Sequence, residues 1–159
     1  MAGWRKICCA IDFSKSSRAA LREAAALARR LDAELTLVHI HETLPVKTVD
    51  AVSAARLLQP AAEQLRRTLD DWRADAERIL KCPARVAVFS GSPAAELVRF
   101  ARANCFDAIV VGAHGRAGAS RAVLGPVAER VVRGVRCHVV VVRAEAAAKG
   151  MLAATASGS

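Results

Sequence analysis

The sequence predicts a doubly wound α/β domain, a flavodoxin-like three-layer sandwich. Short continuous apolar runs recur along it, as in strands buried on both faces. Amphipathic stretches separate those runs. The two kinds alternate from end to end in the order βαβαβαβαβ. Each parallel strand then reaches the next through a crossover, and right-handed crossovers put helices on both faces of a five-stranded, mostly parallel sheet.

The first strand is Ile7-Cys8-Cys9-Ala10-Ile11, and Asp12-Phe13-Ser14 ends it. Ser14, Ser16 and Ser17 are candidate N-caps, because a serine hydroxyl accepts from the free N–H groups of a first turn. The helix after them, about residues 16–31, lines up Leu21, Ala24, Ala28 and Leu31. Asp32-Ala33 breaks it, and Leu35-Thr36-Leu37-Val38-His39-Ile40 is the second strand. Pro45 argues for a loop at the strand exit. Pro60 either opens a helix at its first turn or kinks a longer one. From about 60 to 80 the helix is clear, with Leu65, Leu69, Trp72, Ala76, Ile79 and Leu80 near a common side. Cys82-Pro83 stops it. The third strand is Arg85-Val86-Ala87-Val88-Phe89. Pro93 is placed to start a helix that turns Ala94, Leu97, Val98 and Ala101 inward and ends near Asn104. Ala108-Ile109-Val110-Val111 is the fourth strand, closed by Gly112. A loop over 112–125 leads to a helix over about 126–134, stopped by Gly134. His138-Val139-Val140-Val141-Val142 is the fifth strand.

Composition agrees with one packed unit. The chain has 159 residues, 53% hydrophobic and 25% charged, enough for a sizeable core. Residues 1–143 form the expected domain, and 144–159 a low-complexity Ala/Ser/Gly tail. No apolar run reaches the ~18 residues of a membrane span, and no signal-peptide apolar region is read near Trp4. A soluble, cytoplasmic protein without a membrane partner is expected. Five cysteines, Cys8, Cys9, Cys82, Cys105 and Cys137, lack any C-x-x-C or zinc spacing. Cys8 and Cys9 read as small buried hydrophobes.

Lys+Arg 24 against Asp+Glu 15 leaves a net charge of +9, which attracts phosphates. The charges of residues 63–78 alternate in sign, as on a solvated helix face. Aromatics make up 4% with no tyrosine, so platforms for stacking nucleic-acid bases are scarce and no nucleic-acid partner is expected. Paired carboxylates, a Ser-His-Asp set and a metal cluster are absent from the pattern, so no catalytic residue is assigned and an enzyme is not expected. His39 and His41 flank the end of the second strand and read as structural or solvent-facing. His114 has no nucleophile paired with it and reads as a loop-shaping residue. Trp72 reads as helix-face packing, Trp4 as cover for a sheet end.

Ligands of doubly wound sheets bind at the C-terminal strand edge, where strand order reverses. Two loops stand out there. One is Ala10-Ile11-Asp12-Phe13-Ser14. The other runs from Gly112 through Gly115 and Gly118 to Gly125. Gly112 and Gly115 allow backbone conformations closed to other residues and a close approach to a bulky anion. Gly125 stands before a helix N-terminus with free N–H groups. Arg116 and Arg121 add charge. Asp12 either serves that site or caps the next helix. G-x-x-x-x-G-K-[ST] is absent, and G-x-x-G-x-x-G after the fourth strand is not a dinucleotide fingerprint.

These residues resemble the universal stress proteins, whose nucleotide-binding members carry G-x2-G-x9-G followed by Ser or Thr. Gly112-x2-Gly115-x9-Gly125 matches in spacing and position. Val110-Val111-Gly112-Ala113-His114-Gly115-Arg116, Val127-Ala128-Glu129-Arg130-Val131, Cys137 to Val142, Ala10 to Ser14 and Val38-His39-Ile40 are also similar, over roughly residues 4–143. The resemblance implies strand order 3-2-1-4-5 and a homodimer through the last strand, Cys137 to Val142. It implies a stress-response regulator that binds ATP, or ADP or AMP, with Mg²⁺. Carried over by position, Asp12 lies near the ribose and metal, Ala10 and Ile11 wall the base, and Ile40 packs at adenine. Val111, Gly112, Gly115 and Arg116 form the phosphate loop, and Gly125, Pro126 and Val127 the terminal-phosphate clamp. Pro126 stands where Ser or Thr belongs. It removes a hydroxyl and an N–H, which implies the alternative of a homodimer that has lost ATP binding and acts through protein partners.

Overall fold

A computed structural model describes residues 3–42, 51–115 and 124–144 of the chain. Its elements are β1 (Lys6–Ala10), α1 (Lys15–Leu31), β2 (Glu34–His41), α2 (Ala51–Leu80), β3 (Arg85–Ser90), α3 (Pro93–Asn104), β4 (Ala108–Gly112), α4 (Pro126–Gly134) and β5 (His138–Val142). All strand pairs are parallel, and the order is β3-β2-β1-β4-β5. The predicted doubly wound sheet is the observed one.

Two cores lie on the two faces of the sheet. Ile7, Cys9, Leu35, Leu37 and Val110 pack with α1 and α2. Cys8, Val38, Ile109 and Val111 pack with α3 and α4. Adjacent residues of one strand thus supply opposite faces, which is why the strands read as unbroken apolar runs. Cys8 and Cys9 are fully buried. Burial pushes the Cys9 thiol up to about 12 and the Cys8 thiol well above its ordinary value.

The helices begin and end for local reasons. Ser14 caps α1, its hydroxyl accepting from the Ser17 N–H at 3.1 Å. Ala20, Leu21, Ala24, Ala25 and Ala28 face the core, whereas Leu31 is 41% exposed. Leu31 leaves the predicted stripe because the chain turns at once through Asp32, in the left-handed region at φ 52°. Helix α2 is 30 residues long and contains Pro60. Of the two readings of that proline, the longer helix is the observed one. Proline deprives the carbonyl of Arg56 of its helical donor, and the surrounding turn is exposed, so water can serve instead. Gly134 ends α4 as predicted, and its lack of a side chain also serves packing. A Cβ there would lie 2.9 Å from Val98 Cγ2 on α3.

Carboxylates staple the N-terminal edge of the sheet. Asp107 Oδ2 accepts from the N–H groups of Arg5 (2.8 Å) and Lys6 (2.9 Å), joining the start of β1 to that of β4. Glu77 Oε1 accepts from the Ala84 N–H and from Arg73 Nε, each at 2.9 Å, and so holds the turn between α2 and β3. These backbone donors hold both carboxyls below their ordinary values of 3.8 and 4.5. A carboxyl depressed in the folded state contributes stability above its unfolded value and loses it as pH falls through the folded value. Thermal melts from pH 7 to 2 should therefore show stability declining below about pH 4.5. The Asp107→Asn, Glu77→Gln double variant should be less stable at neutral pH and decline less steeply in that acid window.

Candidate functional site

The strand order reverses between β1 and β4, so a crevice opens at their C-terminal ends. Two loops face each other across it. Beyond Ala10 the chain leaves β1 at Ile11, whose N–H still reaches the Val38 carbonyl at 2.9 Å. Asp12 follows at the N-terminus of α1. Its N–H donates to Ser17 Oγ at 3.2 Å, and its Oδ1 accepts from the Ser14 N–H at 3.0 Å. Asp12 therefore makes a turn ahead of α1 and does not cap it, since Ser14 is the N-cap. Its second oxygen points elsewhere, since a Cβ on Gly115 would lie 3.1 Å from Asp12 Oδ2.

The glycines act through space rather than through unusual dihedrals. Gly112, Gly115 and Gly125 do not occupy the left-handed region, which among the described glycines only Gly91 does, at φ 139°. The expectation of special backbone conformations at Gly112 and Gly115 is corrected here. A Cβ on Gly112 would lie 2.7 Å from Ser16 Cβ and 2.8 Å from the Ser16 carbonyl carbon. Gly112 thus admits the first turn of α1 against the end of β4. A Cβ on Gly125 would lie 3.2 Å from the Ala113 carbonyl oxygen, to which the Gly125 N–H donates at 2.7 Å. Ala113 in turn donates to the Val142 carbonyl at 2.8 Å. These two bonds bring the N-terminus of α4 beside residues 113–115.

Helix α4 opens with Pro126 at its first position, and no side chain caps it. The N–H groups of the next residues, Val127 and Ala128, are the remaining first-turn donors there. His114 Nδ1 is a buried nitrogen with no hydrogen-bond partner among the described residues. An uncapped helix N-terminus, glycines without side chains and an orphaned polar nitrogen form a cradle suited to an anion. Arg116 and Arg121 lie outside the described residues, as do Pro45 and the tail beyond Ala144.

The apolar half of the crevice belongs to the α3–α4 side. Ala10, Ile40 and Val111 pack in that one cluster. Ile11 differs, because its side chain is 3% exposed and buried with α1 and α2. His39, read as structural, is 5% exposed, and its Nδ1 lies 2.9 Å from the Ile11 carbonyl oxygen. A carbonyl only accepts, so Nδ1 is the protonated nitrogen. Sequence reasoning did not single out Phe13, which takes φ 66° between Asp12 and Ser14.

The model of the universal stress protein family matches residues 3–143. The chain belongs to this family. Universal stress protein MJ0531 of Methanocaldococcus jannaschii is 28% identical over 148 residues, covering 88% of this chain and 82% of that protein. Among solved structures, universal stress protein UspA from Lactobacillus plantarum superposes with a TM-score of 0.77 at 23% identity, covering 90% of this chain and all of that one. A universal stress protein in complex with cAMP superposes with a TM-score of 0.68 at 20% identity, covering 89% and 98%. Both structures share the fold of this universal stress protein. Its departure from the family's phosphate motif is confined to Pro126, within an otherwise matching spacing. Among the described residues no group of three or more His, Cys, Asp or Glu side chains converges. No helix there is long and apolar enough to cross a membrane.

Proposed function

We propose that this universal stress protein is a regulatory protein that binds an adenine nucleotide, ATP foremost, in the crevice between β1 and β4. The observation that carries the reading is the approach of Gly115 to Asp12 on one side and of Gly125, the uncapped start of α4, to the backbone of residues 113–115 on the other. Ala10 and Ile40, both only partly buried, would line the base. The backbone of Gly112 to Gly115 and the N–H groups of Val127 and Ala128 would hold phosphates. Asp12 Oδ2 would face the ribose and the Mg²⁺ that neutralises phosphate charge. The cAMP held by a protein of the same fold supports an adenine nucleotide as the ligand class. Calorimetric titration with ATP, ADP and AMP, with and without Mg²⁺, tests it. Saturation at micromolar to millimolar ATP is expected, and no saturation at millimolar concentrations of all three rejects it.

Pro126 favours a second reading, a dimer that no longer needs ATP. Strand β5 ends the sheet, and Val139 to Val142 are only partly buried. An edge of this kind invites pairing, and a second copy meeting it about a two-fold axis would cover Cys137 to Val142. Sedimentation should show a dimer at micromolar concentration. A monomer at high micromolar concentration rejects the pairing.

A further inference from the structure

Phe13 is placed as no neighbouring residue is. An aromatic residue at φ 66° is a backbone outlier. Strained conformations of this kind persist only where surrounding contacts over-determine them. Here those contacts are rings. The Phe13 ring lies 4.6 Å from that of His39 and 5.3 Å from that of Trp72, edge-on to the latter at 76°. Trp72, on α2, is 5% exposed. The Arg18 guanidinium lies over the Trp72 ring, with Cζ 3.8 Å from the ring centroid, and pairs with Asp75.

The left-handed turn separates three consecutive groups. The Ile11 carbonyl is held by His39, Asp12 is presented to the Gly115 side of the crevice, and Phe13 is thrown back onto α2. We infer that Phe13 is a positioning residue for Asp12, with Trp72 as its seat, so that loop 11–14 and helix α2 move as one unit. The site that Asp12 would serve rests on the nucleotide reading, whereas the positioning itself does not.

Two variants and one ligand-free measurement decide it. Glycine accepts φ 66° without strain but has no ring. If the backbone dihedral alone placed Asp12, Phe13→Gly would match the wild type. The expected result is amide exchange at Ser14, donor to Asp12 Oδ1, at least about tenfold faster in Phe13→Gly, with Ile109 and Val110 of β4 unchanged. Trp72→Leu keeps an apolar side chain and leaves Phe13 intact, yet should speed the Ser14 amide in the same way. Wild-type exchange at Ser14 in either variant overturns the inference. Calorimetry with ATP·Mg²⁺ on the same proteins separates the two claims. Failure of the wild type to bind rejects the nucleotide reading, while the exchange data still decide the positioning. Where the wild type binds, Phe13→Gly should weaken affinity at least about tenfold, and an unchanged affinity overturns the link to the site.

Discussion

Replacing Pro126 with serine is expected to tighten ATP binding by at least about tenfold, and by as much as about ten-thousandfold. Proline occupies the first position of α4, at the mouth of the crevice. Serine there restores a hydroxyl and a backbone N–H, and a hydrogen bond to a charged group contributes ~1.5–3 kcal/mol. Each ~1.4 kcal/mol is a factor of ten. Pro126→Ala restores the N–H alone, so calorimetry on wild type, Ala and Ser variants in one buffer separates the two donors. The ligand-free protein should melt slightly lower in both variants, since losing a compatible proline costs about 0.4–1 kcal/mol through the unfolded chain. Equal affinities across the three proteins would place the phosphates away from α4.

Gly112→Ala should cost far more stability. Its Cβ would lie 2.7 Å from Ser16 Cβ, 2.8 Å from the Ser16 carbonyl carbon and 3.0 Å from its oxygen. Two of those atoms are backbone, so relief requires moving α1 off the sheet. Overpacking of this kind costs ~1–3 kcal/mol, or roughly 2–12 °C of melting temperature for a chain of this size. The shift would displace Ser14 and Ser17, to which Asp12 is bonded, so nucleotide affinity should fall as well. Gly115→Ala is the contrast. Its Cβ would lie 3.1 Å from Asp12 Oδ2, the end of a side chain. It should melt close to wild type while binding nucleotide more weakly. Scanning calorimetry beside nucleotide titration of both variants tests the distinction, and equal melting of Gly112→Ala and wild type would refute it.

The strands were legible because a doubly covered parallel strand has no polar face, and Ile7 to Ala10, Leu35 to Ile40 and Ala108 to Val111 each carry that mark. The G-x2-G-x9-G spacing spans the connection from β4 to α4, beside the point where strand order reverses. What spacing does not convey is why a glycine is there. Gly112 answers to Ser16, 96 positions earlier, and no local pattern encodes that approach. The helical turns before Pro60 were illegible for a related reason. Val52 and Leu58 are exposed, so apolar residues there do not mark an inward face. Phe13 sits in an ordinary-looking turn, and its ring contacts with Trp72 and His39 come from residues distant in sequence.

The Asp107 staple also bears on how the chain reaches this fold. Strand β1 is central, paired with β2 on one side and with β4 on the other. During synthesis β1, β2 and β3 can assemble as soon as residue 90 has emerged. The other edge of β1 must wait for Ala108 and for the carboxylate just before it. Until then Ile7, Cys8 and Cys9 offer an open apolar edge, the kind that recruits strands from other chains. Closing that gap joins residues about a hundred positions apart, a slow event by topology alone. Arg5 and Lys6 are charged residues at the head of that strand. Charge of this kind flanking an apolar strand disfavours edge-to-edge pairing, and in the finished sheet Asp107 accepts from the N–H groups of both residues.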